Sequence, residues 1–407
     1  MSIETRAVRS DEFRRFLDVL HQAFGGETTD DDVERARRVL PLERALAAFE
    51  DDAIVGTTGV FPFVLTVPGG EVPAGGVTMV GVPPSHRRRG VLSRLMEHQL
   101  ADGRARREAV AILWASESSI YHRFGYGMAT KAAELSIERE RTAFLSEGPR
   151  LGRVRLLSTD EALKVIPNVY ELVRAVTPGM YVRTHDWWEA HTLADPNEAR
   201  RGGGPRYVAV WELEGRAEGY ALYRVHSEWA DGFPAGWVEV DEAVGTSPVA
   251  VKEVWRFLFG VDLVNRINGW KEPADHPLLL MLAEPRRLRL RVQDGLWLRI
   301  IDLDAALRAR AYAADGTLVF ELADTLCPWN EGRWRLGVSA GRGTLEPASS
   351  DPELVLGTED LAAAYLGGVS FGELERAGRI EERALDAVSR ATAMFASARP
   401  PWCPEIF

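Results

Sequence analysis

The stretch Thr78-Met79-Val80-Gly81-Val82-Pro83-Pro84-Ser85-His86-Arg87-Arg88-Arg89-Gly90-Val91-Leu92 decides how this chain reads. Apolar residues up to Val82 mark the end of a strand. Three consecutive arginines form a loop, and Gly90 opens a helix whose pattern runs to Asp102. A helix start offers unbonded N–H groups and the positive end of the macrodipole, which suits a phosphate. Gly90 removes the Cβ where a diphosphate would approach the backbone. Arg87, Arg88 and Arg89 add charge-assisted donors. A solvated basic helix cap is the plainer account of three arginines. The order strand, Arg-rich loop, Gly, helix favours phosphate binding.

Outward from this stretch, rhythm divides the chain into three blocks. In residues 1–150 a strand over Glu4–Val8 leads to a helix carrying Phe13, Phe16, Leu17, Leu20 and Phe24 at helical spacing, stopped by Gly25-Gly26. A second helix opens in Thr29–Asp32, and strands follow at Ala45–Phe49, Ala53–Val67 and Val72–Val82. Past the helix that starts at Gly90, Ala109–Ala115 reads as a buried strand. A short helix at Ser118–Phe124 and a strand at Thr130–Ile137 close the block. Residues 151–285 repeat the scheme, with helices at Asp160–Val176 and Val249–Phe259 around strands at Tyr207–Leu213, Gly219–Ser227 and Gly236–Val244. Their loop Gly245-Thr246-Ser247-Pro248 has no arginine cluster, so one cofactor site per chain is expected, in the first block. Residues 286–407 form an α+β segment. It has strands at Leu288–Ile300, Thr317–Leu322 and Arg333–Val338, and helices at Thr358–Leu366, Ser370–Ala377 and Glu382–Phe395. Leu354, Leu356, Leu361, Tyr365, Leu366 and Phe371 there serve core packing or line a shallow groove. The proline-rich tail ends in Trp402-Cys403-Pro404-Glu405-Ile406-Phe407, a composition that favours docking over fraying.

The chain has 407 residues, 46% hydrophobic and 27% charged, which excludes a single small module and wholesale disorder. The apolar runs Ala109–Ala115 and Pro277–Ala283 are far shorter than the roughly 18 residues of a membrane span. The charge-free stretch Ala53–Gly70 is broken by Gly, Thr and Pro and reads as strands. Ser2–Arg6 lacks the pattern of a signal peptide, so a cytoplasmic chain is expected. A net charge of −11 disfavours non-specific nucleic-acid binding and mildly favours cationic partners. Cys327 and Cys403 are too few for a zinc cluster or a disulfide framework. His86, His98 and His122 do not have metal-ligand spacing, so no metal is expected.

Behind the buried strand runs Ala115-Ser116-Glu117-Ser118-Ser119-Ile120-Tyr121-His122-Arg123-Phe124-Gly125-Tyr126. A short helix here brings Tyr121 to the mouth of the cleft between two parallel strands. The pattern V-x-V-x-P-x-x-R-R-R-G followed by I-Y-x-R-F-G-Y resembles the acetyl-CoA motif and tyrosine helix of the GNAT N-acetyltransferases. Leu92 stands where that superfamily usually has a small residue. The Leu form, the tandem second block, Pro178–Arg183 with Trp187-Trp188, the turn Cys327–Asn330 and the aromatic last residue resemble the Eis family of actinobacterial acetyltransferases over the whole chain.

That resemblance implies a mixed α/β fold: a GNAT domain over 1–150, a degenerate GNAT-like domain over 151–285 and a sterol-carrier-protein-like α+β domain over 286–407, assembled as a homohexamer, a trimer of dimers. It implies that main-chain groups of Val80, Gly81 and Val82 hold the acetyl and pantetheine end of acetyl-CoA. Arg87 adds charge, Arg88, Arg89, Gly90, Val91, Leu92 and Ser93 wrap the diphosphate, and Ser116 and Glu117 line the cofactor. Tyr121 becomes the general acid and the α-carboxylate of Phe407 the general base. Tyr126 is the reserve for the acid role, with packing as its plainer use. A tyrosine hydroxyl, pKa about 10, suits protonation of a departing thiolate, whereas a carboxyl near about 3.5 matches an ammonium poorly. A relay through water or anchoring of the cation serves there as well. The activity implied is acetyl transfer to several amines of polycationic small molecules such as aminoglycosides, directly within a ternary complex. Asp30–Asp32, read as a helix N-terminus, would line a polyamine pocket with Glu27 and Glu405. The alternatives are a protein-lysine acetyltransferase and a non-catalytic CoA- or lipid-binding carrier.

Overall fold

A computed structural model describes residues 3–407. The chain forms two compact units, each discontinuous in sequence. One gathers the residues up to Thr130, Leu296–Pro401 and Phe407; the other gathers Lys131–Gly295 and Trp402–Ile406.

The first unit opens with strand β1 (Ile3–Ala7), helices α1 (Phe13–Phe24) and α2 (Asp30–Val39), and strands β2 (Ala45–Glu50), β3 (Ala53–Val67) and β4 (Gly70–Gly81). Then come α3 (Val91–Ala105), β5 (Val110–Trp114), α4 (Ser118–Tyr121) and β6 (Gly127–Met128). Strands β1 to β4 pair antiparallel in chain order, and β5 joins β4 in parallel. Phe13, Phe16, Leu17 and Leu20 bury one face of α1, and Gly25, at φ +75°, ends it in a left-handed turn. Thr29 and Asp32 cap α2 reciprocally, so the acids at its start are absorbed as a helix N-terminus. Arg14 pairs with Asp30 and Arg35 with Asp32.

The second unit contains β7 (Lys131–Glu138), β8 (Arg153–Leu157), α5 (Thr159–Arg174), α6 (His185–Trp187), β9 (Tyr207–Leu213), β10 (Arg216–His226) and a small hairpin of β11 (Trp229–Ala230) and β12 (Phe233–Pro234). It continues with β13 (Trp237–Gly245), α7 (Pro248–Phe259), β14 (Arg266–Pro273), α8 (Leu278–Met281) and β15 (Arg291–Asp294). Its sheet runs β15-β7-β14-β13-β10-β9-β8, with β13 and β14 parallel. Leu135, Ile137, Val238, Val240 and Ile267 of the sheet pack in one core with Trp255 and Leu258 of α7.

The chain returns to the first unit with β16 (Leu296–Ile300), α9 (Leu303–Ala309), β17 (Gly316–Ala323), β18 (Gly332–Ser339), β19 (Arg342–Pro347), β20 (Leu354–Gly357), α10 (Thr358–Ala364), α11 (Phe371–Arg376), β21 (Glu381–Glu382) and α12 (Ala387–Phe395). Strands β17 to β21 make a separate five-stranded sheet, while β16 inserts antiparallel between β5 and β6. The apolar residues from Leu354 to Phe371 named above are all buried and pack as core.

Two strands sit elsewhere than the sequence pattern suggests. Thr130–Ile137, expected to close the first block, is β7 and pairs with β14 and β15 in the second sheet. The single strand expected over Leu288–Ile300 is two strands in different sheets. Gly295 separates them: β16 is buried along its whole length, as a central strand must be, whereas β15 is exposed or half-buried at an edge. The sheets therefore exchange the chain at 130/131 and 295/296, away from the expected breaks at 150/151 and 285/286. The last helix is also shorter than expected, because residues 381–382 are drawn into β21 and Asp386, at φ +62°, blocks extension toward them.

In the second unit the tail is docked. The Trp402 indole donates to the Lys271 carbonyl at 2.6 Å, and Glu405 accepts from Tyr181, Trp187 and Thr192, each at 2.8 Å. Arg183 pairs with Glu405 at 2.9 Å and with Glu242 at 2.6 Å. Burial alone would push the Glu405 carboxyl up; Arg183 and His191 overcome it and hold the group well below the usual range. Glu405 is thus consumed by an internal ion network and is not free to line a polyamine pocket.

Candidate active site

The site begins with a defect in β4. Thr57 pairs with Gly81 and Gly59 with Thr78, so β4 carries one extra residue, a bulge at Met79-Val80. Met79 takes φ +53° there, and the Thr57 hydroxyl donates to its carbonyl at 2.8 Å. A bulge takes main-chain groups off the ladder and re-aims the strand. On its other side β4 meets β5 only at Ala74/Val110, Gly75/Ala111 and Gly76/Ile112. Beyond Gly76 the two strands part, and the opening leaves Val80, Gly81 and Val82 lining a cavity of about 610 Å³.

Helix α3 starts on the same cavity. Its N-cap is Gly90, at φ +78°, with no side chain bonding the first turn. The opening N–H groups around Val91, Leu92 and Ser93 thus keep their donors for a ligand. A Cβ on Gly90 would meet no protein atom within 4 Å, and the left-handed turn at φ +78° favours glycine there. Clearance matters at Gly56, where a Cβ would lie 2.5 Å from Val91; its absence lets the first turn of α3 settle on the sheet.

Opposite stands α4. Ser116, Glu117, Ile120, Tyr121 and Arg123 line the cavity from this side. Tyr121 is 5% exposed and meets Tyr126 edge-on, ring centroids 5.9 Å apart. Burial, and then the charge of Glu117, push the Tyr121 hydroxyl up to about 12, so it is neutral at physiological pH. Tyr126 lies in the core with its hydroxyl unpartnered in the described structure, and burial raises it further.

Of the residues singled out from sequence, Val80, Gly81, Val82, Arg87, Arg88, Gly90, Val91, Leu92, Ser93, Ser116, Glu117 and Tyr121 converge on this one cavity. Arg89 does not: Glu50 holds its guanidinium. Phe407, in the tail after α12, does not line this cavity and packs instead against β3 and β4 at Phe63 and Gly76. Its ring packs edge-on against Phe63 at 5.0 Å, and only because Gly76 has no Cβ, which would stand 2.4 Å from Phe63 and 3.3 Å from Phe407.

The cavity also takes residues that the sequence reading had assigned elsewhere. Phe24 fits the apolar spacing of α1 but is 61% exposed and lines the cavity with Ala23. Its place in the last turn before the Gly25 stop is the one signal that could have separated it from the core residues. His86, considered in the sequence only for its lack of metal-ligand spacing, lines the cavity and stands 3.4 Å from Glu50.

The second sheet has a corresponding split, built differently. Pairing of β13 with β14 stops at Val240/Gly269. Two residues on, Glu242 is bound by Arg183 and Tyr220. Helix α7 is capped by its own Ser247 and begins with Pro248, and Thr246 bonds Glu218. That helix start is satisfied internally and beside an acid.

Residues 4–129 and 179–300 each match an acetyltransferase (GNAT) domain model, and residues 303–404 match a sterol carrier protein domain. The chain is 39% identical over 411 residues, the full length of both, to an uncharacterized N-acetyltransferase of Streptomyces avermitilis. It is 34% identical over 377 residues, 89% of each chain, to the N-acetyltransferase Eis of Mycobacterium bovis BCG. Among solved structures, Eis1 from Mycobacterium abscessus superposes with a TM-score of 0.86 at 33% identity, covering 99% of this chain and 100% of that one. Two GNAT folds, a sterol-carrier-protein-like segment and identity across nearly the whole length give one answer: the chain belongs to the Eis family of GNAT enzymes and is an N-acetyltransferase.

Proposed function

We propose that acetyl-CoA binds in the cavity between β4, α3 and α4, and that the enzyme acetylates several amines of polycationic small molecules such as aminoglycosides, by direct transfer in a ternary complex. The observation that carries this reading is the meeting of an uncapped helix start, two arginines and a neutral buried tyrosine on one cavity. The fit to a phosphate-bearing cofactor is good. The unsatisfied N–H groups of α3 face it, Arg87 and Arg88 stand beside them, and Glu117 is the one carboxylate among the described lining residues.

The bound cofactor supplies an acetyl thioester. Main-chain groups of Val80, Gly81 and Val82, where β4 leaves the ladder after the bulge, would hold its carbonyl oxygen, where negative charge develops. The Tyr121 hydroxyl keeps a proton available for the departing sulfur. The Phe407 carboxylate would anchor the cationic acceptor and, through water, receive the proton shed by the amine nitrogen once that nitrogen has bonded to the acetyl carbon, when it is far more acidic than the free ammonium. The second GNAT fold carries no cofactor, because its split holds Glu242 and its helix start is self-capped. The enzyme works as a homohexamer in the cytoplasm and needs no metal.

Thiol release from acetyl-CoA in the presence of an aminoglycoside, with mass detection of the acetyl groups added, tests the reading. More than one added group is expected. Absence of turnover over a broad amine panel, or turnover of folded protein lysines alone, overturns it. Sedimentation of the purified protein tests the hexamer.

A further inference from the structure

Coenzyme A presents phosphate at two separate places: a diphosphate within the chain of the molecule and a phosphomonoester on the ribose 3′ oxygen. The wall formed by the Arg87–Ser93 loop and helix start is one anion site. It has the N–H groups of α3, Arg88, and Arg87, whose Nε donates to the Val82 carbonyl at 3.4 Å. Arg89 is withdrawn from it by Glu50. A second doubly charged phosphate placed on the same donors would crowd four negative charges onto one helix end.

The opposite wall holds a separate cation. Arg123 comes two residues after Tyr121, is exposed, and lines the cavity. Its guanidinium lies 4.9 Å from the ring of its neighbour Phe124. Among the described residues no carboxylate reaches it. Nearby arginines are engaged: Arg379 by Glu359 and Asp360, and Arg299 by Asp324. Arg123 also borders a second cavity of about 260 Å³, so it is not packed away into the core. An arginine supported on an aromatic ring presents its fork of donors outward, the geometry that matches a phosphate bidentately.

We infer that Arg123 binds the ribose 3′-phosphate of coenzyme A, and that through it the enzyme discriminates coenzyme A from 3′-dephospho-coenzyme A. The inference rests on the cofactor reading of this cavity, and it divides the charge of the ligand between the two walls: diphosphate on the start of α3, phosphomonoester on Arg123 in the turn that follows α4.

Calorimetry of the full chain with coenzyme A and with 3′-dephospho-coenzyme A, no acceptor present, tests it. The wild type is expected to bind coenzyme A about tenfold more tightly than the dephospho form, the scale of one charge-assisted bidentate contact. Arg123→Ala should weaken coenzyme A to the level of the dephospho form while leaving the dephospho form within about twofold; Arg123→Lys should keep part of the preference. Arg88→Ala should weaken both ligands alike. Equal weakening of both ligands in Arg123→Ala, or a preference that disappears in Arg88→Ala instead, overturns the assignment. If neither ligand binds the wild type, the cofactor reading fails first and the inference with it.

Discussion

The acid role proposed for Tyr121 draws its support from burial. A phenol near the surface titrates at about 10, and burial, with the charge of Glu117 adding to it, pushes the Tyr121 hydroxyl up to about 12. The raised value keeps the proton on the oxygen across the working range of an amine acetyltransferase. The rate should therefore climb with pH as the acceptor amine deprotonates and show no falling limb near 10. Tyr121→Phe should lower kcat by about 10²–10⁴-fold, the usual worth of a positioned acid, with coenzyme A affinity unchanged by calorimetry. A loss below tenfold would leave Tyr121 as a packing residue. Asp360 is a second residue set by its surroundings. Burial raises its carboxyl to about 6, Arg379 opposes and Glu359 adds to the shift. Its folded value lies above its ordinary one, so its contribution is fully present below about pH 4 and is lost as pH rises through about 6. Asp360→Asn removes that loss. The stability advantage of the variant over wild type should grow by about 2 kcal/mol between pH 4.5 and pH 8 in chemical denaturation. A constant difference would mean that Arg379 fully compensates the charge.

At the scale of elements, the motif from Val80 to Ser93 and the helix carrying Tyr121 were legible because their chemistry is written in residue types. Arginines before a glycine and a tyrosine after a buried run have few other uses together. The bulge at Met79 was not legible, since methionine carries no preference for φ +53° and the register that forces it is a property of the paired strand. Buried arginines were equally hidden. Arg310 is wholly buried, donates to the carbonyls of Tyr365 and Phe395 at the ends of α10 and α12, and lies 4.5 Å from the Phe395 ring. It caps two helices with one cation, a use that only the fold reveals. Strand β4 links such packing to the site. Gly76→Ala would drive a methyl into Phe63, which carries the Phe407 ring. The expected cost is about 1–3 kcal/mol of stability and a fall in kcat, with coenzyme A affinity intact because α3 is untouched. Adding Phe63→Leu should restore stability beyond the sum of the single effects, a coupling that a double-mutant cycle measures. Additive losses would show that the Gly76 contact is not with Phe63.

At the scale of the whole molecule, the tandem character of the chain was legible and the path of its strands was not. A sequence period repeated over residues 151–285 announces a second copy of a scheme, but pairing partners are chosen by edges, and edges are invisible in a pattern. Strand β5 has three rungs to β4 and five to β16, and β6 pairs with β16 alone. A chain ending at Arg150 would therefore leave one edge of β5 open. It would also carry β7 without β14 or β15, exposing Ala133, Leu135 and Ile137. Such a fragment should aggregate or melt without a cooperative transition. The first unit closes on itself in another way: the Ala129 and Thr130 N–H groups both donate to the Leu296 carbonyl, at 2.9 and 3.1 Å, so the two chain ends meet. Replacing residues 131–295 by a few glycines and serines, and ending the chain at Pro401, should give a protein with a cooperative thermal transition and protected amides in β5 and β16. Cooperative folding of the fragment ending at Arg150 would show that β5 needs no partner beyond β4. The central place of β16 in the first sheet would then be dispensable, and the exchange of strands would have no energetic standing.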